Sequence, residues 1–337
     1  MDIDDLPTPA LVIDANALER NLDRMTATHP GSALRPHVKA HKCTALAAAQ
    51  AANGHNGFTC ATPREVIGMA SAGLGQDLLL ANETLDAGRL RAMAELDPPV
   101  TVAIDSEATL HATVTAGIRR VLIDVNVGLP RCGIAPGRAG ALADAARAAG
   151  LEVRGVMGYE GHLMMVTDRA EQAERVAAAM TLLVRAHADV GGHIVSAGGT
   201  GTYDLHAETG VNEIQAGSYA LMDTHYGALG IPFEQALHVI GTVISVSDEY
   251  AVADVGLKAL GMDHGDPDVL VEGGARRVWF CSDEHVTFSR DDRSPEVGDR
   301  VRVVPAHVDP TMAMHATAWL TRHGEVIDRW PIDLRGW

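Results

Sequence analysis

The chain has 337 residues, enough for one large domain and a smaller one, and 47% of them are hydrophobic, ample for a sizeable core. Asp and Glu outnumber Lys and Arg by 44 to 27, a formal charge of −17, which argues against a nucleic-acid or anionic-membrane surface because both need clustered positive charge. There is no charged and apolar leader, no apolar run of membrane length, and no CxxC pair among Cys43, Cys60, Cys132 and Cys281, so the expectation is a cytoplasmic enzyme with reduced thiols.

Ala10–Ile13 reads as a first strand, placed to pair with β structure later in the chain. From Ser32 to about Tyr226, short apolar runs alternate with longer Ala-rich amphipathic ones. Strands are expected to begin near Ala33, Gly57, Asp77, Val100, Arg120, Val153, His193 and Val211. Residues 62–73 carry a full helix grammar: Thr62 as N-cap, Pro63 at the first position, Glu65 closing a capping box and Gly73 ending it. Pro136 to Gly150 reads as another helix. Eight strand–helix units predict an α/β chain built on a parallel (β/α)8 TIM-like barrel, with a doubly wound open sheet as the alternative.

After about Pro232 the texture changes. Leu237–Val246, Ala251–Val255, Arg277–Cys281, Arg300–Val304 and Ala316–Leu320 are apolar runs separated by Gly, Asp and Pro turns, so they read as strands without intervening helices. The expected division is a barrel over 14–232, followed by a C-terminal β domain over 233–337 that takes in about 1–13.

In such a barrel the catalytic groups sit at the carboxyl ends of the strands, and the unusual residues gather there. If residues 37–41 are extended, His37, Lys39 and His41 share one face and Lys42 takes the other. A lysine aimed into the barrel mouth beside two imidazoles is favoured as the neutral, nucleophilic amine that Schiff-base chemistry needs; a solvated basic loop is the plainer reading. Strand six leads to Tyr159-Glu160-Gly161-His162. Strand seven leads to Ser196-Ala197-Gly198-Gly199-Thr200-Gly201-Thr202, and strand eight to Gln215-Ala216-Gly217-Ser218-Tyr219. Glycine-rich runs let backbone N–H groups approach a phosphate, although glycines also make ordinary turns. Two such runs after strands seven and eight match the place where barrels hold phosphate. An aldehyde-reactive lysine with a phosphate cradle suggests pyridoxal 5'-phosphate. In the β domain, His307-Val308-Asp309 would put two ligands on one face of a strand, an oxygen–nitrogen pair suited to Mn²⁺ or Mg²⁺. The alternative there is a surface strand with a buried His and a turn Asp.

At these residues the chain resembles the D-threonine aldolase / D-serine dehydratase-like family, which belongs with the pyridoxal enzymes of alanine-racemase fold. The resemblance runs from Leu6-Pro7-Thr8-Pro9-Ala10-Leu11 through Arg35-Pro36-His37-Val38-Lys39-Ala40-His41-Lys42, Asp124 to Gly133, Ser196 to Tyr203 and Gln215 to Tyr226. It continues through Asp254-Val255-Gly256-Leu257-Lys258-Ala259-Leu260 and His307-Val308-Asp309. It implies a barrel, a C-terminal β domain and a homodimer in which the partner helps close the active site. By similarity, Lys39 carries the cofactor, Arg131 contacts its phenolic oxygen, and Tyr159 and His162 stand against the ring or substrate. Ser196, Gly199, Thr200, Gly217, Ser218 and Tyr219 fall where the family contacts the cofactor, chiefly its phosphate. Family members resembling D-serine dehydratases have His-x-Cys and are associated with zinc, whereas D-threonine aldolases have His-x-Asp and use manganese or similar ions; His307 and Asp309 follow the second pattern.

The activity so implied is cleavage of a D-3-hydroxy amino acid to glycine and an aldehyde, with the divalent ion on the β-hydroxyl and a base such as His162 taking its proton. A D-serine or 3-hydroxyaspartate dehydratase is the alternative, and a non-catalytic pyridoxal-phosphate-binding protein a third that would leave His307 and Asp309 without a purpose.

Overall fold

A computed structural model describes residues 1–272, 274–291 and 294–337. The chain forms two compact units, one of Met25–Lys39, Leu46–Gly217 and Leu334–Trp337, the other of Met1–Arg24, Ala40–Ala45 and Ser218–Asp333. Strand β1 (Ala10–Asp14) and helix α1 (Ala15–Thr28) come first in sequence. Then alternate α2 (Thr44–Ala52), β2 (Gly57–Cys60), α3 (Pro63–Ser71), β3 (Asp77–Leu80), α4 (Ala87–Ala94), β4 (Thr101–Ile104), α5 (Glu107–Ala116) and β5 (Arg120–Asp124). The series runs on through α6 (Ala139–Ala148), β6 (Glu152–Met157), α7 (Arg169–Val190), β7 (Ile194–Ala197) and β8 (Glu213–Ile214).

β2 to β8 pair in sequence order as a seven-stranded parallel sheet. The expected first barrel strand at Ala33 is present only as an extended segment, but that segment joins the two sheet edges. Leu34 bridges Ile214 on β8 and His37 bridges Thr59 on β2. Arg35 and His37 donate to the carbonyls of Ile214 and Ala216 at 2.8 and 3.0 Å, and Thr59 donates to Pro36 O at 2.9 Å. Side chains alternate as a closed barrel requires. Leu78, Leu80, Val102, Ile104, Val121 and Ile123 pack outward under the helices, while Leu79, Ala103, Leu122, Met157 and Ile194 form a separate inner cluster.

The helix expected over 62–73 is α3. Thr62 Oγ1 accepts the N–H of Glu65 at 3.2 Å with Pro63 in the first turn, and Gly73 leaves the helix at φ 70°. Glu65 does not close the box on Thr62: its carboxylate accepts the N–H of Ala61 at 2.6 Å.

The second unit is a ten-stranded sheet built from β1 and the later strands. These are β9 (Leu237–Val246), β10 (Tyr250–Ala253), β11 (Asp268–Val271), β12 (Gly274–Arg276), β13 (Val278–Cys281), β14 (Val286–Ser289), β15 (Arg300–Val304), β16 (Thr317–Arg322) and β17 (Glu325–Pro331). β1 lies between β9, antiparallel, and β16, parallel, which confirms its pairing with the later β structure. Two short helices, α8 (Thr224–Gly227) and α9 (Val308–Met314), interrupt the strands. No helix among the described residues is long and apolar enough to cross a membrane.

Candidate active site

Lys39 sits in a single 3-10 turn, Val38–Ala40, and not in the extended run expected over 37–41. The ladder bond from His37 to Ala216 fixes the extended segment at His37; Val38–Ala40 then winds into the turn, and Lys42 takes a left-handed φ of 48° before α2. Strict alternation of His37, Lys39 and His41 therefore fails. His37 still stays close, its Nδ1 facing the Lys39 N–H at 3.5 Å, whereas His41 is fully buried and accepts the Cys43 N–H at 3.2 Å.

Three of the expected residues meet at one aromatic ring. Lys39 Nζ lies 5.8 Å from the centroid of Tyr159 and the Arg131 guanidinium 5.1 Å, both within cation–π range. Gly199 adjoins the same ring: a Cβ there would stand 3.5 Å from Tyr159 Cε2 and 2.9 Å from Met164 Sδ. His162 lies over the backbone of Gly128, in the loop that carries Arg131, so that a Cβ on Gly128 would come within 3.0 Å of the imidazole. Asn126 shapes this loop, accepting the Gly128 N–H and donating to Leu129 O, each at 2.9 Å.

The glycine run after β7 is held from beneath by Glu160. This carboxylate has no exposed surface and accepts from Gly198 N at 3.2 Å and Thr202 Oγ1 at 2.7 Å, with His206 Nε2 at 3.1 Å. Burial works against its charge, but His206 and Thr202 outweigh burial and hold the carboxyl below its ordinary range. Glu160 thus ties the Tyr159–His162 loop to the 198–202 loop. Beneath it, Ser196 donates to Glu213 at 2.7 Å and accepts from Gln215 at 2.8 Å, so its hydroxyl is spent on the barrel interior. Thr200 and Gly217 are buried. The residues around Tyr159 fit a cofactor with an aldehyde and a phosphate. An amine and a guanidinium share one ring, and a close-packed glycine turn adjoins it.

The remaining expected residues lie in the second unit. His307 and Asp309 are not on a strand: His307 is the N-cap of α9 and Asp309 is in its first turn. The pattern misreads because Pro310 enters at the start of a helix, where its missing N–H costs nothing. The pair nevertheless converges, His307 Nε2 standing 3.9 Å from Asp309 Oδ1. Ser218 donates to Asp309 at 3.3 Å, whereas Tyr219 is fully buried with its ring 5.6 Å from that of Phe233. Asp223 supports the α9 end, accepting Val308 N at 2.9 Å and Tyr226 N at 2.8 Å; burial pushes its carboxyl up to about 6 despite these bonds. A donor set of imidazole and carboxylate, without thiolate, fits a hard divalent ion.

Sequence reasoning did not single out Glu160, Met164, Asp263 or His264. Glu160 lay within the quoted Tyr159–His162 run, and Asp263 and His264 follow soon after the Asp254–Leu260 segment, but neither position has spacing that marks a ligand or a tether.

Residues 13–225 match the family described as "Alanine racemase, N-terminal domain", and residues 236–321 match "Putative serine dehydratase domain". The chain is 35% identical to a D-threonine aldolase of an Arthrobacter species, covering 98% of this chain and 93% of that one. It is 32% identical to a 3-hydroxy-D-aspartate aldolase of Paracoccus denitrificans, covering 100% and 94%. Among solved structures, a D-threonine aldolase from Filomicrobium marinum superposes with a TM-score of 0.92 at 35% identity, covering 99% of this chain and 97% of that one.

Proposed function

Because the chain belongs to the D-threonine aldolase / D-serine dehydratase-like family of alanine-racemase fold, we propose that it is a lyase dependent on pyridoxal phosphate and a divalent metal, cleaving D-3-hydroxy amino acids to glycine and an aldehyde. The observation that carries this reading is the meeting of Lys39, Arg131 and Gly199 at the ring of Tyr159. When bound, pyridoxal phosphate draws electrons from the bonds at Cα and a divalent ion acidifies the β-hydroxyl.

The residues divide the remaining work. Lys39 Nζ supplies the amine that holds the cofactor. Arg131 places positive charge beside Tyr159, whose ring packs against whatever occupies the site. Thr200 would line the phosphate beside Gly199, which has no side chain in the way and whose own N–H donates to Thr202 Oγ1 at 3.3 Å. His162, exposed and seated over Gly128, takes the proton from the substrate's β-hydroxyl oxygen. His307 Nε2 and Asp309 Oδ1 hold the ion, and their oxygen–nitrogen set favours manganese or magnesium over a thiolate-bound zinc.

The dehydratase reading stays in view because residues 236–321 match a serine dehydratase domain. Incubation with D-threonine and D-serine in the presence of Mn²⁺ separates the two. Glycine plus acetaldehyde from D-threonine is the expected result; ammonia and an oxo acid without glycine would overturn it. Chelation with EDTA should abolish turnover and added Mn²⁺ restore it, and turnover indifferent to EDTA would remove the metal from the reading.

A further inference from the structure

Among the described residues, a group of titratable side chains outside the Lys39 cluster surrounds His307. Its Nδ1 lies 2.9 and 2.8 Å from the two carboxylate oxygens of Asp263. Its other nitrogen, Nε2, faces Asp309. The His264 ring stacks on the His307 ring at 3.9 Å between centroids and 15° between planes, and His225 continues the stack at 4.3 Å and 33°.

Ligand atoms of Asp263, His264 and His307 all lie within 4.8 Å of one another, which invites the reading that this trio is itself a metal shell. The stacking rules that out. An imidazole lone pair lies in the plane of its ring, and a ligated ion sits about 2.1 Å from the nitrogen. Two rings 15° from parallel and 3.9 Å apart have planes that do not converge near their nitrogens. An ion in the plane of His307 is therefore out of the plane of His264. Asp263 also occupies Nδ1, which leaves Nε2 as the ligating atom, and Nε2 is the nitrogen that faces Asp309.

We propose that Asp263 is a positioning residue for the metal histidine: by accepting the Nδ1–H it fixes the tautomer and rotation of His307, so that Nε2 is presented beside Asp309. His264 assists by stacking, which restrains the same ring from its face. A histidine ligand held through its second nitrogen by a carboxylate is both better oriented and more basic, and loss of such a partner weakens metal binding about 10- to 100-fold. This rests on the reading that His307 and Asp309 hold a divalent ion.

Equilibrium binding of Mn²⁺ to the pyridoxal-loaded protein, followed by the electron paramagnetic resonance of free Mn²⁺, tests it without assaying turnover. Asp263→Ala should weaken binding about 10- to 100-fold, while cofactor absorbance and thermal midpoint stay as in the parent. Asp263→Asn keeps an oxygen that accepts from Nδ1–H and should lose much less. His264→Phe, which keeps a ring to stack, should bind Mn²⁺ nearly as the parent does. Parent-like affinity in Asp263→Ala, with affinity lost in Asp309→Ala, would overturn the inference and leave the His307–Asp309 site standing. A loss in Asp263→Asn as large as in Asp309→Ala would make Asp263 a ligand and also overturn it. A parent protein that binds no Mn²⁺ would end both the inference and the metal site beneath it.

Discussion

A carboxylate with no exposed surface must be matched by partners, and Glu160 is matched by Gly198, Thr202 and His206. Replacing Glu160 with Gln turns one oxygen into a donor that has to face donors. The expected cost is about 1–3 kcal/mol in unfolding free energy, measured by urea titration, with weaker retention of pyridoxal phosphate on dialysis. If both stay at parent values, Glu160 does not hold the glycine run. At His162 the test is kinetic. His162→Asn should lower kcat by about 10²- to 10⁴-fold, the worth of a general base, with cofactor content unchanged. A loss of only a few-fold would move the base elsewhere. Lys39 stands out in the sequence as a candidate because its motif is contiguous. Glu160 was not, because its partners Thr202 and His206 lie 42 and 46 positions further on.

Elements were legible where their signals are local. The Thr62–Gly73 helix needs only its cap, its proline and its terminal glycine, all within one short stretch of chain. Thr62→Ala should cost about 1 kcal/mol in the same titration, and a cost near zero would mean that Pro63 and burial set the helix start unaided. The turn that carries Lys39 departs from the extended expectation because the ladder ends at the bond from His37 to Ala216, a partner far along the chain, and nothing local to Val38–Ala40 marks that end. β11, β12, β14 and β17 are absent from the expected strands: β11, β12 and β14 are only three or four residues long, and β17 is largely exposed and owes its extension to pairing with β16. At the glycine run, Gly201 tolerates a side chain least, since a Cβ would lie 2.2 Å from Met164 O, a backbone atom, whereas at Gly199 it meets the flexible thioether. Gly201→Ala should therefore destabilise by about 1–3 kcal/mol and Gly199→Ala by less. The reverse order in unfolding titrations would contradict this packing.

At the scale of the whole barrel, a network of charges pins strands that are distant in sequence. Asp77 on β3 accepts from Arg154 on β6 at 2.5 Å and from Arg35 on the closing segment at 2.6 Å, and Arg35 also meets Glu213 on β8 at 2.9 Å. Burial opposes the charge on Asp77, but the two arginines prevail and hold its carboxyl down at about 2, against 3.8 ordinarily. A depressed carboxylate stabilises the fold above its unfolded value, and that contribution drains away as pH falls toward the folded one. Unfolding free energy should thus drop between about pH 4 and pH 2, and Asp77→Ala should flatten that drop while costing about 1–3 kcal/mol at neutral pH, because Arg35 keeps Glu213 but Arg154 loses its carboxylate partner. An unchanged acid limb in the variant would contradict the assignment. The sequence by itself determined the barrel and the β structure that follows it, and it singled out Lys39 and the His307–Asp309 pair as candidates, because hydrophobic period and contiguous motifs are written within a few residues of one another. Tertiary structure alone decided that Lys39 and Arg131 share the ring of Tyr159, that Glu160 braces the glycine run, and that Asp263 faces the second nitrogen of His307. Those contacts join residues brought together by the closure of sheets, a geometry that no local pattern encodes.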